Sequence, residues 1–253
     1  MKNTTRKKRV SKLCVVFDID ETILVFLNTV QSSRRFADKQ GQLDYAEILM
    51  DGGGTRYVIF RPGFIEFLQY AKRHRISVAI WTYGDRNYAN FIERIICEHY
   101  GFRKSPFVFV YSSAEIKEDI NRGMYEKDLR RIFAAFPGRF TSSNTFLVDN
   151  KPSNIYHETN MHNGFIVESF NPFVNVKPDI NTILKDRLFK LLQKICDKIM
   201  KKNRASNTPI FGKDNIQSMD LEQYYRHYVK GDKTISVLST DSIDYDQNFT
   251  LIK

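Results

Sequence analysis

Nowhere in these 253 residues does an apolar run approach the length of about 18 that a membrane-spanning helix needs. Cysteine is scarce: Cys14, Cys97 and Cys196 are odd in number and widely spaced, which excludes a disulfide framework and suggests a reducing, intracellular compartment, nucleus or cytoplasm. The first twelve residues, MKNTTRKKRVSK, lack any apolar stretch that would serve as a secretory core. They also contain no acidic residue against six basic ones. What is present in quantity is hydrophobic residues at 42%, enough to exclude wholesale disorder and to build one sizeable domain with appendages.

The formal charge of +10 is unevenly spread. Residues 13–204 hold 28 basic and 22 acidic side chains, and the remainder of the chain is mildly acidic. This divides the sequence into a basic, solvated head (1–12), a domain (13–204) and a polar C-terminal extension (205–253). The head, with RKKR at 6–9, suits a nucleic acid, an acidic protein or an import receptor. The moderate surplus of the body suits an anionic substrate.

Along the domain the pattern alternates. KLCVVFDI reads as a continuously apolar strand, the kind buried on both faces of a parallel sheet. AEILM-DGGG-TRYVIF (46–60) reads as a β-hairpin around an Asp-Gly turn. After Arg61-Pro62-Gly63, FIEFLQYAKRH has helical periodicity, and ISVAIWT is a strand. A helix over about 86–100, a strand over 107–112, a helix near 125–135 and a strand over 145–150 follow. Strands alternating with helices predict an open, doubly wound, mostly parallel α/β sheet, whose ligands bind beyond the carboxyl ends of the strands.

Those strand ends carry the chemistry. Asp18-x-Asp20-x-Thr22 ends the first strand, Thr82 the second and Asp149-Asn150 the last, while Lys127 is predicted at a helix start. One carboxylate can attack phosphorus, and a second, two residues on and pointing the same way, can protonate the leaving oxygen. A hydroxyl and an ammonium would bind the phosphate, and the crowd of negative charge calls for Mg²⁺. Paired aspartates can also merely cap a helix, but capping does not account for Lys127 and Asp149-Asn150.

The set resembles the haloacid dehalogenase superfamily, and within it the phosphatases of the RNA polymerase II C-terminal domain, including the small C-terminal-domain phosphatases. FDIDET, FRPGFIEFL, WTYGDRNYAN, RGMYEKDLRRI and LVDNKPSNI carry the resemblance, in order, over residues 13–173. It implies Asp18 as nucleophile, Asp20 as general acid and base, and Thr82 and Lys127 as phosphate ligands. Mg²⁺ would be held by the Asp18 carboxylate, the Asp20 main-chain carbonyl and the Asn150 side chain, with Asp149 in an outer role and Thr22 orienting the loop.

Spacing bears on the substrate. The 45 positions from Thr82 to Lys127 are used by regular elements, and between Asp18 and the next sheet strand there is room for a hairpin and no large cap. An open site favours phosphoserine or phosphothreonine on a protein segment. The small C-terminal-domain phosphatases carry a substrate-reading arginine before the lysine motif, whereas YSSAEIKED here is acidic. Phe36, Tyr45 and Tyr57 are candidates for a different aromatic pocket. A non-catalytic binding module and a metabolite phosphatase are the alternative classes.

Three other signals are weaker. Cys97 and Arg103 have the spacing of a cysteine phosphatase loop, but Cys97 lies on an amphipathic helix with a single glycine following. His157 and His162 lack further zinc ligands, and Cys14 reads as core. The stretch DINTILKDRLFKLLQKICDKIMKK has a single apolar stripe and a basic end, predicting a helix that packs on the domain.

Overall fold

A computed structural model describes residues 13–27, 43–49, 55–170 and 186–203. The basic head, Phe36, the glycines at 52–54 and the polar extension lie outside the described residues. Five parallel strands form the central sheet: β1 (Cys14–Phe17), β5 (Ser77–Trp81), β6 (Phe107–Tyr111), β7 (Thr145–Asp149) and β8 (Gly164–Ile166). Their spatial order is β6-β5-β1-β7-β8, so the chain reverses its winding direction at β1. Cys14 aligns with Ser77 on one side and Thr145 on the other.

The continuous apolar run of β1 is explained by its central place. Val15 and Phe17 face one core and Cys14 and Val16 the other, all fully buried. The first face is covered by α1 (Phe64–His74), α2 (Arg86–His99) and the C-terminal helix α5 (Leu188–Asn203). The second is covered by α3 (Ser113–Asn121) and α4 (Leu129–Ala135). A sheet with helices on both faces is the doubly wound architecture expected.

The predicted hairpin is present as β3 (Tyr45–Leu49) paired antiparallel with β4 (Thr55–Phe60). It gains a third strand that the sequence reading missed. Residues Leu24–Leu27 form β2, which pairs with β4 from Leu24 opposite Phe60 to Leu27 opposite Tyr57. Tyr45 and Tyr57 pack edge-on, at 6.1 Å, in a small cluster with Leu27, Ile59 and Phe170.

Helix α3 was also missed, although Ser112 and Glu115 form a reciprocal capping box at its start. The apolar stripe of the C-terminal segment is real over its described part. Leu188, Phe189, Leu192, Ile195, Cys196 and Ile199 are buried in the first core. Phe189 sits against the rings of Phe17, Phe64 and Phe67, with centroids 5.4–5.8 Å away. Among the described residues no helix is long and apolar enough to cross a membrane.

Candidate active site

The chain leaves β1 at Asp18, whose N–H still reaches Val148 O at 2.9 Å, and then coils tightly. Ile19 O accepts from the N–H groups of Thr22, Ile23 and Leu24, and Glu21 takes a left-handed conformation with φ 58°. For a residue with a Cβ this backbone is unfavourable and persists only where its surroundings enforce it. Here Glu21 N–H donates to Leu24 O and its carbonyl accepts from Phe170 N–H at 2.6 Å. The turn keeps the Asp18 carboxyl buried and leaves Asp20 exposed.

Lys127 comes from the opposite flank. It does not begin a helix, as predicted; it stands in a left-handed turn with φ 49°, one residue before Asp128, which caps α4. Asn160 braces that turn by donating to Lys127 O at 2.9 Å and accepting from Leu129 N–H at 3.1 Å. The result is a fully buried ammonium, 2.5 Å from Asp18 Oδ1 and 2.8 Å from Asp149 Oδ2. Asp149 is further engaged by Asn154 Nδ2 and by the N–H of Lys151, each at 2.8 Å. Its carboxylate therefore holds the lysine and the following turn.

Electrostatics follow from this packing. Two buried carboxylates outweigh the burial penalty on Lys127 and hold its ammonium protonated above the usual lysine range. Burial pushes the Asp18 carboxyl up to about 6 against the pull of Lys127, with Asp149 and Asp20 adding to the rise. Two carboxylates thus share one ammonium, with Asp20 adding negative charge nearby, and the excess fits a hard divalent cation.

The donor set fits as well. The Thr22 hydroxyl is placed between two oxygens, donating to Asp18 Oδ2 at 3.1 Å and to Asn150 Oδ1 at 3.4 Å. The far side of the Asn150 amide is fixed by Ser169 Oγ at 3.0 Å. Carboxylate, amide and main-chain oxygens are what Mg²⁺ prefers. Among the described residues no cluster of three or more His, Cys, Asp or Glu side chains is arranged to hold a metal. A cation here would therefore draw on the mixed set of Asp18, Asn150 and the Asp20 carbonyl.

Thr82 ends β5 fully buried, with its N–H on Tyr111 O at 3.1 Å. Its hydroxyl lies 3.4 Å from Asp20 Oδ2 and accepts from Gly84 N–H at 3.0 Å. All seven residues expected from the sequence, Asp18, Asp20, Thr22, Thr82, Lys127, Asp149 and Asn150, therefore meet at the carboxyl ends of β1, β5 and β7. That is the switch point of the sheet.

Four neighbours were missed. Tyr88 donates its hydroxyl to Asp20 Oδ1, and Asn154 and Asn160 brace Asp149 and Lys127. The Tyr83 ring lies 5.0 Å from Lys127 Nζ and 4.0 Å from Lys151 Nζ, its hydroxyl bonded to Glu126 and, at 2.7 Å, to Asn154. Tyr83, Tyr88 and Asn160 act across long sequence separations that no local pattern marks, whereas Asn154 stands only five positions after Asp149, inside the LVDNKPSNI stretch.

The rival candidates have ordinary roles. Cys97 is half-buried on α2, and burial with Glu93 and Glu98 pushes its thiol up, the reverse of what a thiolate nucleophile needs. His157 stacks on Tyr125 at 4.4 Å and shares a hydrogen bond with Thr159 Oγ1. Cys14 is buried in the sheet, as expected.

The model of the NLI interacting factor-like phosphatase family matches residues 13–208. Among curated proteins there is no significant sequence match. Two solved structures resemble the chain at 17% identity and a TM-score of 0.48, covering 90% of it and 68% of their own length. One is Fcp1, an essential RNA polymerase II CTD phosphatase, and the other a fission yeast Fcp1 variant bound to beryllium fluoride. With the family's model matched over most of its length, the chain belongs to the NLI interacting factor-like phosphatases.

Proposed function

We propose that this phosphatase removes phosphate from serine or threonine side chains of proteins through an aspartyl-phosphate on Asp18, with Mg²⁺ as cofactor. One observation carries the reading: a fully buried ammonium, Lys127, bridges the proposed nucleophile and a second carboxylate at the switch point. Such a charge triad is costly to bury, and its use in anchoring a phosphate gives a reason for it.

An Asp18 oxygen bonds to phosphorus as the bond to the substrate oxygen breaks, and Asp20 gives that oxygen its proton. Asp20 then takes a proton from water, whose oxygen bonds to phosphorus as the bond to Asp18 breaks. Inorganic phosphate leaves and both aspartates return to their starting states. Lys127 and the Thr82 hydroxyl balance charge on the phosphoryl oxygens. Asp18, Asn150 and the Asp20 carbonyl, with Asp149 behind them, would hold Mg²⁺, which would supply electrostatic neutralisation when bound.

The exposed Asp20, and an insertion after β1 that folds as a small sheet, support a substrate presented on a protein segment over a small metabolite. The sequence resemblance names the RNA polymerase II C-terminal domain, which makes the nucleus the first compartment to examine, ahead of the cytoplasm. Two of the three cysteines, Cys14 and Cys196, packed as buried free thiols, support a reducing environment. The basic head is proposed as a nucleic-acid or import-receptor contact.

The test is hydrolysis of p-nitrophenyl phosphate and of phosphoserine peptides, with and without EDTA, beside Asp18→Asn. Turnover that needs Mg²⁺ and Asp18 and prefers phosphopeptides to sugar phosphates supports the reading. Turnover surviving Asp18→Asn would place the chemistry elsewhere.

A further inference from the structure

We infer that Tyr88 is a positioning residue for the general acid, holding Asp20 so that the oxygen turned toward Thr82 carries the transferable proton. The inference rests on the reading of Asp20 given above and assigns a role to a side chain that does not touch the phosphate.

Asp20 is exposed on a loop, where a carboxyl group would sample several rotamers. It is tied at both oxygens. Oδ1 accepts from the Tyr88 hydroxyl, and Oδ2 lies 3.4 Å from the Thr82 hydroxyl. These two contacts are unequal in purpose. Thr82 is a phosphate ligand in the proposed site, so its long contact is the one that substrate would redirect. Tyr88 has no such second task, and burial together with the Asp20 carboxylate holds its phenol above the usual tyrosine range, so it is a donor at neutral pH. With Oδ1 occupied by a donor, a proton is carried on Oδ2.

The Tyr88 ring is itself held. Its main-chain N–H donates to Asp85 Oδ1 at 2.8 Å, the cap of α2, which sets where the first turn of the helix begins. The ring then packs closely against Gly84. A Cβ at Gly84 would stand 2.0 Å from Tyr88 Cδ1 and 2.8 Å from Cε1. Phe26 of β2 packs against it with centroids 5.9 Å apart. A glycine two residues after Thr82 is therefore what allows an aromatic donor to reach over the loop to Asp20. In the first half-reaction the proton leaves Oδ2 for the departing oxygen while the Asp18–phosphorus bond forms. Oδ1 keeps the Tyr88 bond throughout.

The test uses leaving groups of different basicity. p-Nitrophenolate departs without much help, whereas a serine alkoxide needs the proton. The readout is kcat/KM, which covers the steps up to departure of the leaving group. Tyr88→Phe keeps the ring and removes only the hydroxyl. It is expected to lower kcat/KM on a phosphoserine peptide about tenfold and on p-nitrophenyl phosphate by less than about threefold. Gly84→Ala, which displaces the ring, is expected to show the same selective loss. Asp20→Asn serves as the reference, with a larger selective loss. If Asp20→Asn is selective and Tyr88→Phe lowers both substrates equally, or neither, the positioning role is overturned while the reading of Asp20 stands. If Asp20→Asn itself shows no selectivity, the general-acid reading falls and the inference with it.

Discussion

Arg61, at the end of β4, and Asp186, just before α5, form a largely buried ion pair with Nε 2.6 Å from Oδ2. The same guanidinium donates to Thr22 O at 3.3 Å and Glu168 O at 2.9 Å. The arginine thus ties the C-terminal helix to the loop that presents Asp18. Burial holds the guanidinium below its usual range, and Asp186 offsets only part of that penalty. Arg61→Ala leaves a carboxylate and two carbonyls without this donor and should cost about 3–5 kcal/mol. Asp186→Asn should cost less, about 1–2 kcal/mol, since a neutral acceptor remains. Urea denaturation of both variants checks the order, and a smaller loss in Arg61→Ala would contradict it.

Lys127→Met keeps the length of the side chain and removes its charge. Activity should drop by at least about 10³-fold through lost transition-state stabilisation. Stability should fall too, because Asp18 and Asp149 are left buried and unpaired. That penalty should be larger at pH 7.5 than at pH 5, where the raised Asp18 carboxyl takes up a proton. Melting temperatures at the two pH values decide it.

Phe189→Ala tests whether α5 belongs to the same cooperative unit as the sheet. The ring is fully buried behind β1, and its loss should cost about 3–5 kcal/mol. A single urea transition with a lower midpoint and an unchanged slope is expected. An early separate transition would show α5 unfolding on its own. Tyr70, which donates to Asp197 at 2.7 Å, should then be part of that first step.

Asp119 on α3 is fully buried, and its Oδ2 has no hydrogen-bond partner among the described residues. Burial pushes its carboxyl up to about 6, Arg131 pulls it down, and Asp128 and Glu118 add to the rise. The folded chain therefore keeps a proton that the unfolded chain has lost, so stability falls as pH rises from about 4 to about 6. Asp119→Asn removes this dependence. It should be more stable than the parent by about 1–2 kcal/mol at pH 7.5 and equal to it below pH 4. Thermal melts across that range would show a converging pair of curves, and parallel curves would refute the assignment.

Much of the fold was legible because it is written at short range. The unbroken apolar run of β1 announced a strand buried on both faces, and the Asp-Gly turn announced the hairpin of β3 and β4. Elements whose identity depends on distant partners were not legible. Leu24–Leu27 becomes β2 only because β4 lies beside it, and Gly164–Ile166 is too short to show a period. Lys127 was expected at a helix start, and the helix begins two residues later at Leu129. The left-handed turn of Lys127 is imposed by Asn160, thirty-three positions away.

The same division runs through the site. By itself the sequence determined which groups are available: Asp18 and Asp20 two residues apart at a strand end, Thr82 and Asp149-Asn150 at two others, and Lys127 between. Their chemistry follows from residue type and from strand ends sharing one edge. Only the tertiary structure decided how they are held. Thr22 joins Asp18 to Asn150, Asn154 and Lys127 converge on Asp149, and Tyr88 reaches Asp20 over a bare glycine. These are contacts between segments up to 128 positions apart. Packing of whole elements sets such distances, and no local pattern of residues encodes them.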